Sequence, residues 1–302
     1  MAEPAPAPAL AKGGGGPRTR RLLVYPGRGD PRWLQLAFLL SFVVYALNAP
    51  GFSRSLSQFA AGMVTVITID TALAYRRGGV LLLPVSGLIS SMGLLLLCDS
   101  PLVWPYPAIG VLAILSKQFI RVRGKHLFNP LNFGIVVGLL FLTNEMTVAG
   151  GRWGGSTVGL VGVACLGVVT AYRARRLDLA ATWVLTFAAG ALVRAALSGG
   201  HLVTILGPMS GASFQLFTFF MVTDPMTTPE TRRGRVAFGV MLGVLDAVLR
   251  YRQVSYAPFF ALFVVSGFMP LFRRYFVPAS EEHVWQPRSV ALSGGGPPRG
   301  GP

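Results

Sequence analysis

A chain of 302 residues that is 52% hydrophobic and only 13% charged has too few charges to cover a water-soluble surface, because soluble domains carry about 25%. Its net charge of +16 would suit nucleic acid in a soluble protein. In a membrane protein basic residues gather on the cytoplasmic side and beside anionic lipid, so membrane lipid is the expected partner and nucleic acid is not.

Residues 1–32 carry a glycine run, several prolines and six basic residues, with no apolar stretch before Trp33. This composition predicts a disordered basic tail on the cytoplasmic side rather than a cleaved signal peptide. Apolar segments then recur near 33–48, 55–74, 79–98, 103–120, 131–146, 156–172, 178–197, 202–222, 235–249 and 255–272, each close to the length that crosses a hydrocarbon layer. From about Pro278 the chain is again rich in Pro, Gly and Ser, which predicts a second tail over 273–302.

Loop charge tests the count independently. With a cytoplasmic amino terminus, the inner loops with the segment ends beside them hold twelve Lys and Arg and the outer ones four, both tails left aside. That is the asymmetry the positive-inside rule requires. It places the protein in the inner (plasma) membrane as a multi-pass protein with both termini cytoplasmic.

Two features recur five segments apart. Ser86-Gly87 precedes Cys98-Asp99-Ser100-Pro101, and Ser210-Gly211 precedes Thr223-Asp224-Pro225. Likewise Arg121-Val122-Arg123 leads to Asn129-Pro130, and Arg250-Tyr251-Arg252 to Ala257-Pro258. Because five is odd, matched segments point in opposite directions across the bilayer. The predicted fold is therefore all-α and polytopic, with about ten transmembrane helices in two inverted five-helix repeats, 33–146 and 147–272.

Chemistry in such a fold belongs where helices are broken, since irregular backbone is tolerated in a membrane only when buried or lining a cavity. Gly207-Pro208-Met209-Ser210-Gly211-Ala212-Ser213 is a poor helical run and predicts an unwound stretch near the outer face. Pro84, Ser86 and Gly87 predict its counterpart near the other face. Close helix packing by small residues is the competing reading.

Four charges fall within apolar segments: Asp70, Lys117, Arg194 and Asp246. Lys117 and Arg194 are long enough to snorkel to an interface. Asp70 and Asp246 are not, which points to an ion or proton path, or to a helix-breaking hydrogen bond. The loop from Arg121 to Asn132 combines basic donors with a turn and an entering helix; it suits a phosphate, a flavin tail or an acidic partner, and equally a topogenic basic loop. The cysteines Cys98 and Cys165 are 67 residues apart, and His126, His201 and His283 lie on separate loops or tails. Neither a metal site nor paired haem ligation is indicated.

Ser210-Gly211-Ala212-Ser213, followed by Phe220-Met221-Val222-Thr223-Asp224-Pro225-Met226-Thr227-Thr228-Pro229, together with Lys117, Arg121 to Arg123 and Phe128-Asn129-Pro130, resembles the NqrB/RnfD family. These are membrane subunits of the sodium-pumping quinone reductase and of the ferredoxin-linked Rnf complex. The resemblance covers about residues 58–272, and its nearest flavour is the shorter actinobacterial branch that includes the UnbU-like proteins of enediyne clusters.

The resemblance implies ten spans in two inverted halves. It also implies FMN carried as a phosphoester on a Thr in an acid-x-x-Ser-Gly-Ala-Thr motif, attached by an exported transferase. By position Ser213 is the acceptor, and Ser210, Gly211, Ala212, Thr223, Asp224, Lys117, Arg121, Arg123 and Asn129 complete the implied cofactor set. Two departures stand out: Gly207 replaces the acid and Ser213 the Thr, so noncovalent flavin or quinone is the fallback. The implied function is electron transfer through flavin between partner redox subunits and a quinone or other acceptor, with ion coupling. The alternative is a redox-inert channel or transporter on the same plan.

Overall fold

The structure, a computed structural model, describes residues 23–24, 32–48, 52, 54–78, 81–82, 84–122, 124–148 and 157–276. Arg123 and most of both expected tails lie outside the described residues.

Helices dominate: α1 (Arg32–Leu47), α2 (Leu56–Gly78), α3 (Val85–Leu97), α4 (Pro105–Phe119), α5 (Pro130–Phe141), α6 (Thr157–Arg173) and α7 (Leu177–Ser198). They are followed by α8 (Leu202–Leu206), a 3-10 turn (Gly207–Ser210), α9 (Ala212–Leu216), a π-helical turn (Phe217–Val222), α10 (Arg232–Tyr251), α11 (Ala257–Gly267) and α12 (Met269–Tyr275). Among the described residues two two-residue strand pairings join distant points, Leu23–Val24 with Leu81–Leu82 and Cys98–Asp99 with Thr147–Val148, and a third, Arg121–Val122 with Lys125–His126, is a local hairpin.

Every apolar segment read from the sequence carries a helix. Among the described residues, by length and composition, α2 (over Leu56–Arg76) and α7 qualify singly as membrane spans, and counting two bent helix pairs as one span each gives up to four. The bent pairs are Leu202–Ser210 with Ala212–Val222, at 61°, and Ala257–Gly267 with Met269–Tyr275, at 51°. Helices α3 and α5, of 13 and 12 residues, rise about 20 Å, less than the ~30 Å hydrocarbon layer.

Local sequence explains the boundaries. Asn129 caps α5 by accepting from Asn132 N at 3.1 Å, with Pro130 in the first turn, where proline loses no hydrogen bond. Thr231 caps α10 in the same way through Gly234 N at 3.1 Å. Helix α7 stops at Gly199, whose φ of +65° is the left-handed conformation that glycine adopts without a Cβ clash.

Two pairs of helices pack in parallel. A Cβ on Gly62 would meet Tyr106, and one on Gly110 would meet Val66, so α2 and α4 run side by side in the same direction. Gly239 faces Thr182, Gly243 faces Thr186, and Gly190 faces Ala247, so α7 and α10 do likewise. The glycines and threonines let backbones approach as small residues do between membrane helices. Helix α4 also packs on α5 and α10 on α11, while α1 meets α6, α3 meets α9 and α5 meets α11. At the centre Gly93 leaves room for both Leu131 and Phe220.

Candidate functional site

The stretch around Ser213 is broken as its sequence requires. Pro208 opens the 3-10 turn, and Gly211 takes an extended conformation (φ −87°, ψ 145°) that ends it and starts α9. Ser210 is exposed, with its hydroxyl donating to Gly207 O at 2.7 Å. Ser213 is half-buried and Ala212 buried. Among the described residues, apart from its chain neighbours and its own helical backbone, nothing lies within 4 Å of a Cβ built on Gly207, so a side chain fits there.

Helix α7 fixes this segment. Trp183 Nε1 donates to Thr218 Oγ1 at 3.0 Å, and the Trp183 ring stacks on Phe214 at 5.8 Å. Phe187 meets Phe214 edge-on at 5.0 Å.

The implied cofactor residues do not gather at one point. Ser213 and Thr223 stand at opposite ends of one helical run, about 15 Å apart by helical rise. The Thr223 hydroxyl donates back to Phe219 O at 2.7 Å. Asp224 instead meets the first half of the chain: Asn129 Nδ2 donates to Asp224 Oδ2 at 3.2 Å, and Met226 N to Oδ1 at 2.9 Å. Burial raises the Asp224 carboxyl above its usual range, opposed by these donors.

Around Asp224 the two halves interlock. Lys125 pairs with Glu230, Asn132 Nδ2 donates to Phe259 O at 3.1 Å, and Arg273 Nη1 donates to Val122 O at 2.7 Å. Sequence reasoning overlooked Arg176 here. Only 3% exposed, it donates through Nε to Thr228 Oγ1 at 3.1 Å. Burial, aided by neighbouring Arg235, lowers it to about 10. Its place in a run of basic residues made it look like a topogenic charge; burial was not legible from neighbours in sequence.

Lys117 does not snorkel. The in-register packing of α2 and α4 turns its ammonium inward, to Asp70 Oδ1 at 2.6 Å and Ser86 Oγ at 2.9 Å. His126 lies beside this pair, and burial, with Lys117 and Arg121 adding to it, lowers the imidazole to about 4. Arg121 itself is exposed and bonds Gly124 O at 2.7 Å. Asp246 is paired too: Arg250 Nε donates to its two oxygens at 3.1 and 2.8 Å. Both Asp70 and Asp246 therefore already face a cation.

Residues 150–281 match the model of the NQR2, RnfD, RnfE family. These residues, somewhat under half of the chain, are thus similar to the NqrB/RnfD family. The matched region contains Ser210 to Ser213, Asp224 and Asp246; Asp70, Lys117, Arg121, Arg123 and Asn129 lie outside it. The chain is also similar to a subunit of the ion-translocating oxidoreductase complex of Shewanella piezotolerans, 38% identical over 85 residues, which cover 26% of this chain and 24% of that protein. The match thus spans about a quarter of the relative's length. The match to this membrane-subunit family and the apolar helices together make the chain an integral membrane protein.

At the bend the Ser210 hydroxyl is exposed, Ser213 three residues on is half-buried, and there is open space at Gly207, so the residues present leave room for the phosphate end of a flavin mononucleotide.

Proposed function

We propose that this chain is the membrane subunit of an NqrB/RnfD-type electron-transfer complex, passing electrons through flavin between partner redox subunits and a quinone or other acceptor. The observation that carries this reading is the family match over residues 150–281, because it includes the broken segment with Ser210, Gly211, Ala212 and Ser213. The relative, by its name a subunit of an ion-translocating oxidoreductase complex, supports partner subunits and ion movement.

In this reading the chain crosses the membrane ten times in two inverted halves, 33–146 and 147–272, with cytoplasmic termini. The recurring parallel packing of α2 with α4 and of α7 with α10 supports the duplication. So do the cross-contacts of α1 with α6, α3 with α9 and α5 with α11, each joining a segment to its counterpart. Asp70 to Arg194 and Ser86 to Ser210 are the same 124 residues apart. Asp70 thus corresponds to Arg194 and Lys117 to Asp246, with signs exchanged, although Asp246 is held by Arg250 rather than by Arg194.

Ser213 is the acceptor for FMN, and Ser210, Gly211 and Ala212 form the backbone presented to a transferase. Thr223, Asp224, Asn129, Lys117 and Arg121 act at the opposite end, where the halves interlock; Arg123 belongs to the same implied set. An ion passing Asp70 or Asp246 has to displace Lys117 or Arg250 first.

Mass spectrometry of the peptide containing Ser210 to Ser213 tests the reading, on protein produced with a flavin transferase. The expected result is an added FMN mass in the parent that is missing from Ser213→Ala. Unmodified peptide together with colourless purified protein would overturn flavin use and leave the channel reading.

A further inference from the structure

The C-terminal ends of α7 and α10 lie together because the helices are parallel neighbours, and α8 begins only three residues beyond α7. Two guanidinium groups meet there over one ring: Arg250 stands 5.1 Å and Arg194 5.9 Å from the Phe187 centroid. The carboxylate in this cluster is Asp246, 1% exposed and held through both oxygens by Arg250. Arg194 has only a long bond, Nε to Gly190 O at 3.4 Å, and no carboxylate within 4 Å among the described residues.

Two cations and one anion leave one net positive charge at the partly exposed end of α7. The dipole at the end of α7 offsets part of it. Phe187 is also the ring that meets Phe214, the residue after Ser213, at 5.0 Å. The uncompensated cation is thus one aromatic contact removed from the exposed bend at Ser210 and Ser213.

We propose that Arg194, backed by Arg250, is an anion site for a phosphate group held at the Ser210–Ser213 bend. A guanidinium matches phosphate geometry with paired N–H donors. The site takes the phosphate of a flavin mononucleotide, or that of a lipid headgroup reaching the same bend. It rests on the flavin reading only for the first of these sources.

The test uses the full chain in neutral detergent, in a Ser213→Ala background so that no ester occupies the site. Thermal unfolding is followed with inorganic phosphate against chloride at matched ionic strength, and FMN binding is compared with riboflavin, which lacks the phosphate. Phosphate is expected to raise the melting midpoint, and Arg194→Gln to weaken its half-saturation at least tenfold. Arg194→Lys should keep part of the effect, and Arg252→Gln all of it.

FMN should bind at least tenfold tighter than riboflavin, with Arg194→Gln closing the gap. Suppression of the phosphate effect by phosphatidylglycerol, but not by phosphatidylcholine, would assign the site to lipid. A phosphate effect without any flavin binding upholds the anion site and overturns the flavin reading. FMN found on Ser213 of the parent, with no phosphate effect in the variant, overturns the anion site alone. A phosphate effect unchanged in Arg194→Gln also overturns it.

Discussion

Lys117 Nζ reaches Asp70 Oδ1 at 2.6 Å across α2 and α4, with side chains only 15% and 9% exposed. Such a pair is held less by its own attraction than by the cost of leaving either charge alone, since removing one partner of a buried pair costs about 3–5 kcal/mol. Lys117→Met is expected to destabilise the protein by about 3 kcal/mol. Adding Asp70→Asn should recover more than half of the loss. Denaturation midpoints in detergent check this, and a double variant no better than the single one would remove Asp70 as the cause.

His126 gives stability a pH dependence. Its folded value of about 4 lies below the ordinary 6.5, so folding favours the neutral ring. The stability this contributes is fully present above pH 6.5 and is lost as pH falls through about 4. Asp70, Lys117 and Arg121 face the same ring, so the comparison has to isolate His126. Between pH 7 and pH 4 the melting midpoint of His126→Asn should fall by about 3 °C less than that of the parent. Equal falls would place the acid sensitivity elsewhere.

Composition and loop charge were enough to read a helical membrane protein, because both effects sum over many residues. The break at Gly211 was legible because Pro208 and Gly211 act through their own backbones. The partners of Lys117 and Asp246 were not. Snorkelling and pairing look the same in sequence, and only the parallel register of α2 with α4 decides that Lys117 meets Asp70. Asn129 and Asp224 were both singled out, yet nothing in their spacing showed that they touch each other rather than Ser213.

The contact between α7 and α10 depends on missing side chains. A Cβ on Gly243 would lie 2.6 Å from Thr186 Cβ, whereas one on Gly162 would meet nothing within 4 Å. Gly243→Val is therefore expected to cost about 1–3 kcal/mol through overpacking. Gly162→Ala should leave stability unchanged or raise it by up to about 1 kcal/mol. Chemical denaturation of both variants checks the register, and a tolerated valine at 243 would break the parallel pairing that carries Arg194 towards Arg250.

Restoring the implied attachment motif separates its two departures. Gly207 is helical (φ −43°, ψ −41°) and has open space around it, so Gly207→Asp places a carboxylate at the start of the bend without strain. Ser213→Thr adds one methyl to a half-buried hydroxyl, a change costing about 1 kcal/mol or less at such a site. If the acid is a recognition contact for the transferase, Gly207→Asp alone should raise the flavinylated fraction several-fold, and Ser213→Thr alone should do little. If the hydroxyl type governs attachment, the order reverses. Quantifying flavin fluorescence on denaturing gels across the parent, the two single variants and the double variant distinguishes these outcomes. No flavin on the double variant, with folding intact, would mean that this bend is not the transferase's substrate.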